Sequence, residues 1–215
     1  MDKEYILFDL DGTITDPKVG ITKSVEYALN KFNIEVDNLD DLCKFIGPPL
    51  TESFIKFYNF SEEDAKKGVE YYREYFKETG IFENYVYEGF EDLLIKLKDN
   101  NKNLIVATSK PQVFAVKILE HFGLKKYFNF IAGSNLDGTR VNKNEVIEYA
   151  IEECNIKDLS KAIMVGDREH DIIGANKAGI DSIGVLYGFG NSDEFNNNGA
   201  TYIVENISEL SSLLV

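Results

Sequence analysis

Apolar residues recur along this chain with more than one period, and the change between them divides it. Ile6-Leu7-Phe8 is a continuous apolar run of strand length that stops abruptly at Asp9. Beyond it, Asp16-Pro17 reads as an N-cap followed by a first-turn proline, and Ile21, Val25, Ala28, Leu29 and Phe32 then fall at helical spacing. Leu39 to Ile46 reads as a short helix stopped by Gly47-Pro48-Pro49, and Leu50 to Tyr58 as another just beyond. Ser61-Glu62-Glu63-Asp64 opens a further helix, striped by Ala65, Val69, Tyr72 and Phe76 and ended near Gly80. Residues 16 to 86 therefore predict helices and no clear strand.

From Phe90 onward the elements alternate. A helix (Phe90, Leu93, Leu94, Leu97) precedes a strand (Leu104 to Ala107), and a helix (Ala115, Ile118, Leu119, Phe122) precedes another (Phe128 to Ala132). Helices over Val146 to Cys154 and Ile172 to Ala178 interleave with strands over Ala162 to Val165, Ser182 to Leu186 and Tyr202 to Val204. Continuous apolar strands separated by helices imply an α/β fold with a parallel sheet covered on both faces. The first strand most economically joins that sheet. The expected division is a core of residues 1–15 and 87–215, with residues 16–86 inserted as a four-helix-type α cap. Gly188 to Gly199, rich in Gly and Asn, reads as a surface loop.

Composition narrows the choice of partners. The chain has 215 residues, 44 % of them hydrophobic, and a formal net charge of −14. Such an acidic balance argues against a broad grip on nucleic acid or anionic membrane, so an anionic ligand must be held by local features. Cys43 and Cys154 lie in amphipathic stretches without metal-ligand spacing and read as small buried hydrophobes of a reducing compartment. Met1-Asp2-Lys3-Glu4 carries no basic leader, and no apolar run approaches the roughly 20 residues of a membrane span. The expectation is a cytoplasmic, unanchored protein, monomeric or homodimeric.

In an open parallel sheet, ligands gather at the carboxyl ends of the strands. The first strand delivers Asp9 and Asp11, which share a face because strand residues alternate. Two carboxylates so close repel unless a cation or strong donors stand between them. The second strand delivers Thr108-Ser109-Lys110, Lys143 opens the helix after the third, and the fourth runs into Gly166-Asp167-Arg168-Glu169-His170-Asp171. Hydroxyls, a lysine and carboxylates at one edge make a site for phosphate and magnesium. Hard oxygen donors without a His or Cys cluster favour that ion. His170 reads as exposed and His121 as a helix-end residue.

This set resembles the haloacid dehalogenase superfamily, specifically its phosphatases with a helical cap, and the resemblance spans essentially the whole chain. The motifs are Asp9-Leu10-Asp11-Gly12-Thr13, Thr108 after an apolar strand, Lys143, and Gly166-Asp167 with Asp171. The resemblance implies a Rossmann-like core, an aspartyl-phosphate formed on Asp9, and Asp11 as the acid that protonates the leaving oxygen and then activates water. It implies magnesium held by Asp9, the Asp11 main-chain carbonyl and Asp167, with Asp171 supporting its water shell. Thr108, Ser109 and Lys143 are implied to hold the phosphate. Many relatives have proline after the lysine, where this chain has Asn144.

Selectivity is expected from the cap, with Lys44, Gly47 and Pro48 as the candidate contacts. The related sugar phosphomutases carry an arginine in that loop, where this chain reads Pro48-Pro49-Leu50-Thr51, and relatives with dehalogenase activity lack the acid that Asp11 supplies. The tyrosines 58, 71, 72, 75, 85 and 87 read mostly as cap packing. The resemblance points first to a phosphatase of phosphoglycolate type acting on a small phosphorylated metabolite. A 5′-nucleotidase or pyrophosphatase of the same capped group is the alternative, followed by a sugar phosphomutase or a non-catalytic phosphate-binding module.

Overall fold

A computed structural model describes all 215 residues. The chain divides into two compact units, Met1–Asp16 with Val86–Val215, and Pro17–Tyr85. The first carries the strands β1 (Tyr5–Phe8), β4 (Asn103–Pro111), β5 (Phe130–Ser134), β6 (Ala162–Gly166), β7 (Asp181–Val185) and β8 (Tyr202–Val204). Two very short strands, β2 (Thr15–Asp16) and β3 (Tyr85–Val86), stand at the boundaries between the units. The six-stranded sheet has the order β5-β4-β1-β6-β7-β8. Every pairing in it is parallel, and β1 lies between β4 and β6, with Tyr5 opposite Asn103 on one side and Ala162 on the other.

The uninterrupted apolar run of β1 follows from burial on both faces. Ile6, Leu7 and Phe8 are fully buried. Leu7 packs into a cluster with Ile105, Ala107, Val146, Ile147, Ala150 and Ala175. Two of the helices α4 (Phe90–Asp99), α5 (Gln112–His121), α6 (Lys143–Glu153), α7 (Glu169–Ala178) and α9 (Ile207–Leu214) supply that cover, α6 and α7. Phe8 points the opposite way, as strand alternation requires, and meets Phe90 of α4 edge-on at 5.4 Å between ring centres. No helix is long and apolar enough to cross a membrane.

The second unit holds α1 (Lys18–Asn30), α2 (Leu50–Tyr58) and α3 (Glu62–Glu78). Its fourth expected helix, Leu39–Phe45, is wound as a 3₁₀ helix, with the Asn38 side chain accepting from Asp40 N at 3.0 Å. Helix α1 starts one residue after the cap-and-proline pattern predicts, because Asp16, preceding a proline, stays extended in β2. Tyr58, Tyr71, Tyr72 and Tyr75 are packed against Phe60, Phe32, Phe76 and Tyr27 respectively. Tyr87 instead belongs to the first unit, where it meets Tyr187 edge-on at 5.0 Å.

Two expectations are corrected in the first unit. Residues 188–199 are not simply a surface loop: they contain α8 (Ser192–Asn197), capped by the Asn191 side chain, which accepts from Glu194 N at 3.0 Å. Phe195 anchors it and is fully buried. One apolar residue within a six-residue, Asn-rich helix gives no periodicity to detect. Helix α7 begins at Glu169, three residues before the expected Ile172, so Asp171 lies in its first turn and its Oδ2 reaches back to accept from Arg168 N at 3.0 Å. Cys43 and Cys154 are not joined in a disulfide and are only half-buried.

Candidate functional site

The end of β1 builds the site through a tight turn. Asp9 N still donates to Val165 O of β6 at 2.9 Å, continuing the ladder, and Asp9 Oδ1 accepts from Leu10 N at 2.7 Å. Gly12, at φ 81°, turns the chain, and its N–H donates to Thr15 O at 2.7 Å. Only glycine fits there for a second reason as well: a Cβ would lie 2.0 Å from Asp167 Oδ2. Asp9 and Asp11 are both left nearly buried.

Each of these carboxylates has its own lysine. Lys143, the first residue of α6, places Nζ 2.9 Å from Asp9 Oδ1 and 2.8 Å from Asp171 Oδ1, and donates to Ala107 O at 3.1 Å. Lys110 places Nζ 2.7 Å from Asp11 Oδ2. Asp11 Oδ1 is buried and has no hydrogen-bond partner. Lys110 was not assigned a role from the sequence, although strand alternation puts it on the same side of β4 as Thr108, and that signal was available.

Asp167, fully buried at the end of β6, is held by groups from two further segments. Its Oδ2 accepts from Phe189 N at 2.9 Å and its Oδ1 from Thr13 Oγ1 at 3.5 Å. Gly188 permits this approach, since a Cβ there would meet Asp167 Cβ at 2.4 Å. Tyr187 donates from its hydroxyl to Thr13 O at 3.0 Å, tying the same loop to the turn after β1. Phe189 acts through a main-chain donor that no side-chain motif reveals, whereas the Thr13 hydroxyl closes the Asp9–Thr13 motif.

One oxygen each from Asp9, Asp167 and Asp171 lies within 4.8 Å of the others. The side chain of Asp11 is not among them; it is turned to Lys110. Burial pushes the Asp167 carboxyl well above 3.8, and its neighbours Asp171 and Asp9 add to the effect. Burial raises Asp171 to about 6 despite the opposing pull of Lys143. For Asp11 burial again outweighs Lys110, and the carboxyl is raised. Burial alone would lower the Lys143 ammonium, but Asp171 and Asp9 overcome it and the group is held above its ordinary value. Three buried carboxylates facing one ammonium are short of positive charge, and all their donors are hard oxygens. A divalent cation such as magnesium fits that set.

The remaining expected residues divide. Thr108, buried at the end of the regular part of β4, accepts through Oγ1 from Lys110 N at 3.3 Å, and Ser109 O accepts from Ser134 Oγ at 2.8 Å. The β4–β5 register breaks between Thr108 and Pro111, which frees this turn from the ladder. Lys44, Gly47 and Pro48 belong to the second unit, where Lys44 Nζ lies 5.0 Å and 5.3 Å from the ring centres of Phe57 and Tyr58. Gly47 has φ 102°. His170 is half-buried rather than exposed, because the α7 N-terminus packs inward, and burial lowers its imidazole below 6.5.

Comparison with known proteins agrees with this arrangement. A family model described as haloacid dehalogenase-like hydrolase matches residues 6–185. A 5′-nucleotidase of Pseudomonas aeruginosa is 44 % identical over 209 residues, covering 97 % of this chain and 94 % of that protein. The tyrosine-protein kinase PtkA of Mycobacterium tuberculosis is 35 % identical over 213 residues, covering 98 % of this chain and 72 % of that protein. The crystal structure of a predicted phosphatase from Clostridium acetobutylicum superposes with a TM-score of 0.96 at 56 % identity, covering 99 % of this chain and 98 % of that one.

Proposed function

Since the chain belongs to the haloacid dehalogenase-like hydrolases, we propose that this phosphoric monoester hydrolase works by transferring the phosphoryl group of a small soluble phosphomonoester to Asp9. The observation that carries the reading is the separate provision for two neighbouring carboxylates: Asp9 against Lys143, Asp11 against Lys110. A nucleophile and an acid/base group need different surroundings, and here each has its own ammonium.

In the first half of the reaction a carboxylate oxygen of Asp9 bonds to phosphorus as the bond to the leaving oxygen breaks. Asp11 gives its proton to that oxygen and is left as carboxylate. In the second half Asp11 takes a proton from water as the water oxygen attacks phosphorus, the acyl-phosphate bond breaks, and Asp9 is regenerated. Lys143 offsets the repulsion between the Asp9 carboxylate and an incoming phosphate dianion. Thr108 and Ser109 offer hydroxyl and main-chain donors to the phosphate oxygens at the start of α5. Asp9, Asp167 and Asp171, with the Asp11 carbonyl implied by the family resemblance, would hold magnesium, which when bound would supply positive charge to the transferring group.

The likeness to a 5′-nucleotidase supports a nucleoside 5′-monophosphate as substrate beside phosphoglycolate. The kinase-named relative raises a second acceptor, a hydroxyl in place of water. An acid/base carboxylate next to the nucleophile speaks for turnover rather than mere phosphate binding. The test is release of inorganic phosphate from p-nitrophenyl phosphate with magnesium, then kcat/KM across phosphoglycolate, nucleoside monophosphates, sugar phosphates and pyrophosphate. Asp9→Asn should abolish turnover. Full activity in that variant, or phosphate appearing only on an added hydroxyl acceptor, overturns the proposal.

A further inference from the structure

We propose that Lys110 is a positioning residue for Asp11, clamping Oδ2 so that Oδ1 is the atom that passes the proton to the leaving oxygen. The inference rests on the acid role given to Asp11 above. The two oxygens of this carboxylate are treated differently: Oδ2 is 2.7 Å from Lys110 Nζ, whereas Oδ1 is buried with no partner. The lysine is not a solvated surface cation that happens to be near, for its side chain is only 6 % exposed and that of Asp11 12 %. Its own backbone is pinned, since Lys110 N donates to Thr108 Oγ1. Lys143 is already engaged with Asp9, Asp171 and a main-chain carbonyl, so nothing else among the site lysines duplicates the clamp.

A carboxyl free to rotate presents either oxygen and samples unproductive geometries, and small misplacements of a reacting group are costly. Once the proton has left Oδ1 with the departing oxygen, the carboxylate stays in register with Lys110 to receive the proton of water.

Lys110→Met removes the clamp and keeps most of the buried stem. p-Nitrophenyl phosphate has a leaving group that departs without a proton, whereas phenyl phosphate and the best alkyl phosphate of the substrate panel need one. We expect kcat/KM, which reports only the half-reaction that expels the leaving group, to fall for the latter two at least about tenfold further than for p-nitrophenyl phosphate, within the 10²–10⁴-fold range of proton-transfer catalysis. Lys110→Arg should restore most of the difference, and Lys110→Gln serves if the Met variant does not fold. Equal losses on all three substrates would make the lysine merely structural and overturn the inference. Asp11→Asn is measured in parallel: if it discriminates by leaving group and Lys110→Met does not, only the clamp is wrong. If Asp11→Asn shows no discrimination, the acid assignment falls and the clamp with it.

Discussion

Stripping divalent cations should destabilise the protein near neutral pH and scarcely affect it in mild acid. Burial raises Asp171 from 3.8 to about 6, against the pull of Lys143, and holds Asp167 well above 3.8. At about 1.4 kcal/mol per pH unit, keeping Asp171 ionised in the folded protein costs about 3 kcal/mol. A folded pKa above the unfolded one means that the folded protein keeps its proton longer than the unfolded chain does. The associated stabilisation is complete below 3.8 and lost as pH rises through about 6. A cation among Asp9, Asp167 and Asp171 takes over from the lost protons. At a hundredfold excess over its dissociation constant it contributes about 2.7 kcal/mol, and at about 2–4 °C per kcal/mol for a chain of this size the midpoint shifts by about 5–10 °C. Thermal unfolding followed by circular dichroism, in chelator and in excess magnesium, should show that increment at about pH 7.5 and its near disappearance at about pH 5. Asp167→Asn keeps an acceptor for Phe189 N while removing one charge, so it should lose most of the magnesium increment without loss of metal-free stability. An increment equal at both pH values, or absent at both, refutes the reasoning.

Two other substitutions test the scaffold around Asp167. Gly12→Ala forces a Cβ to within 2.0 Å of Asp167 Oδ2 at φ 81°; urea denaturation should register a loss of at least about 2 kcal/mol, and magnesium half-saturation should rise. Phe195→Ala empties a fully buried position in α8, with an expected cost of about 3–5 kcal/mol and weaker magnesium binding, because the segment that aims Phe189 N at Asp167 loosens. Wild-type stability in Phe195→Ala would show that α8 lies outside the cooperatively folded unit.

Much of this was legible in the chain because parallel strands buried on both faces are continuous apolar runs, and each run ends where chemistry begins. Asp9, Lys143, Asp167 and Asp171 were readable for that reason, and the structure brings them together. What escaped is of a different physical kind. The contact of Lys110 with Asp11 shows only in the alternation that sets Lys110 on the same side of β4 as Thr108, which hydrophobic period does not report. Phe189 contributes an N–H, which every residue but proline has. Helix α8 rests on one buried phenylalanine and an Asn cap, too little for a pattern.

The central place of β1 bears on how the protein is made. Tyr5 to Phe8 leave the ribosome before the rest of the sheet, yet their partners on one side begin at Asn103 and on the other at Ala162. An apolar strand with both edges unsatisfied must wait through most of synthesis, the circumstance in which nascent chains aggregate or engage chaperones. Helices of the second unit, close together in sequence, can form meanwhile. The carboxylate cluster that includes Asp9 acquires the Phe189 N–H only when that residue has been translated, so a ribosome stalled earlier holds the site incomplete.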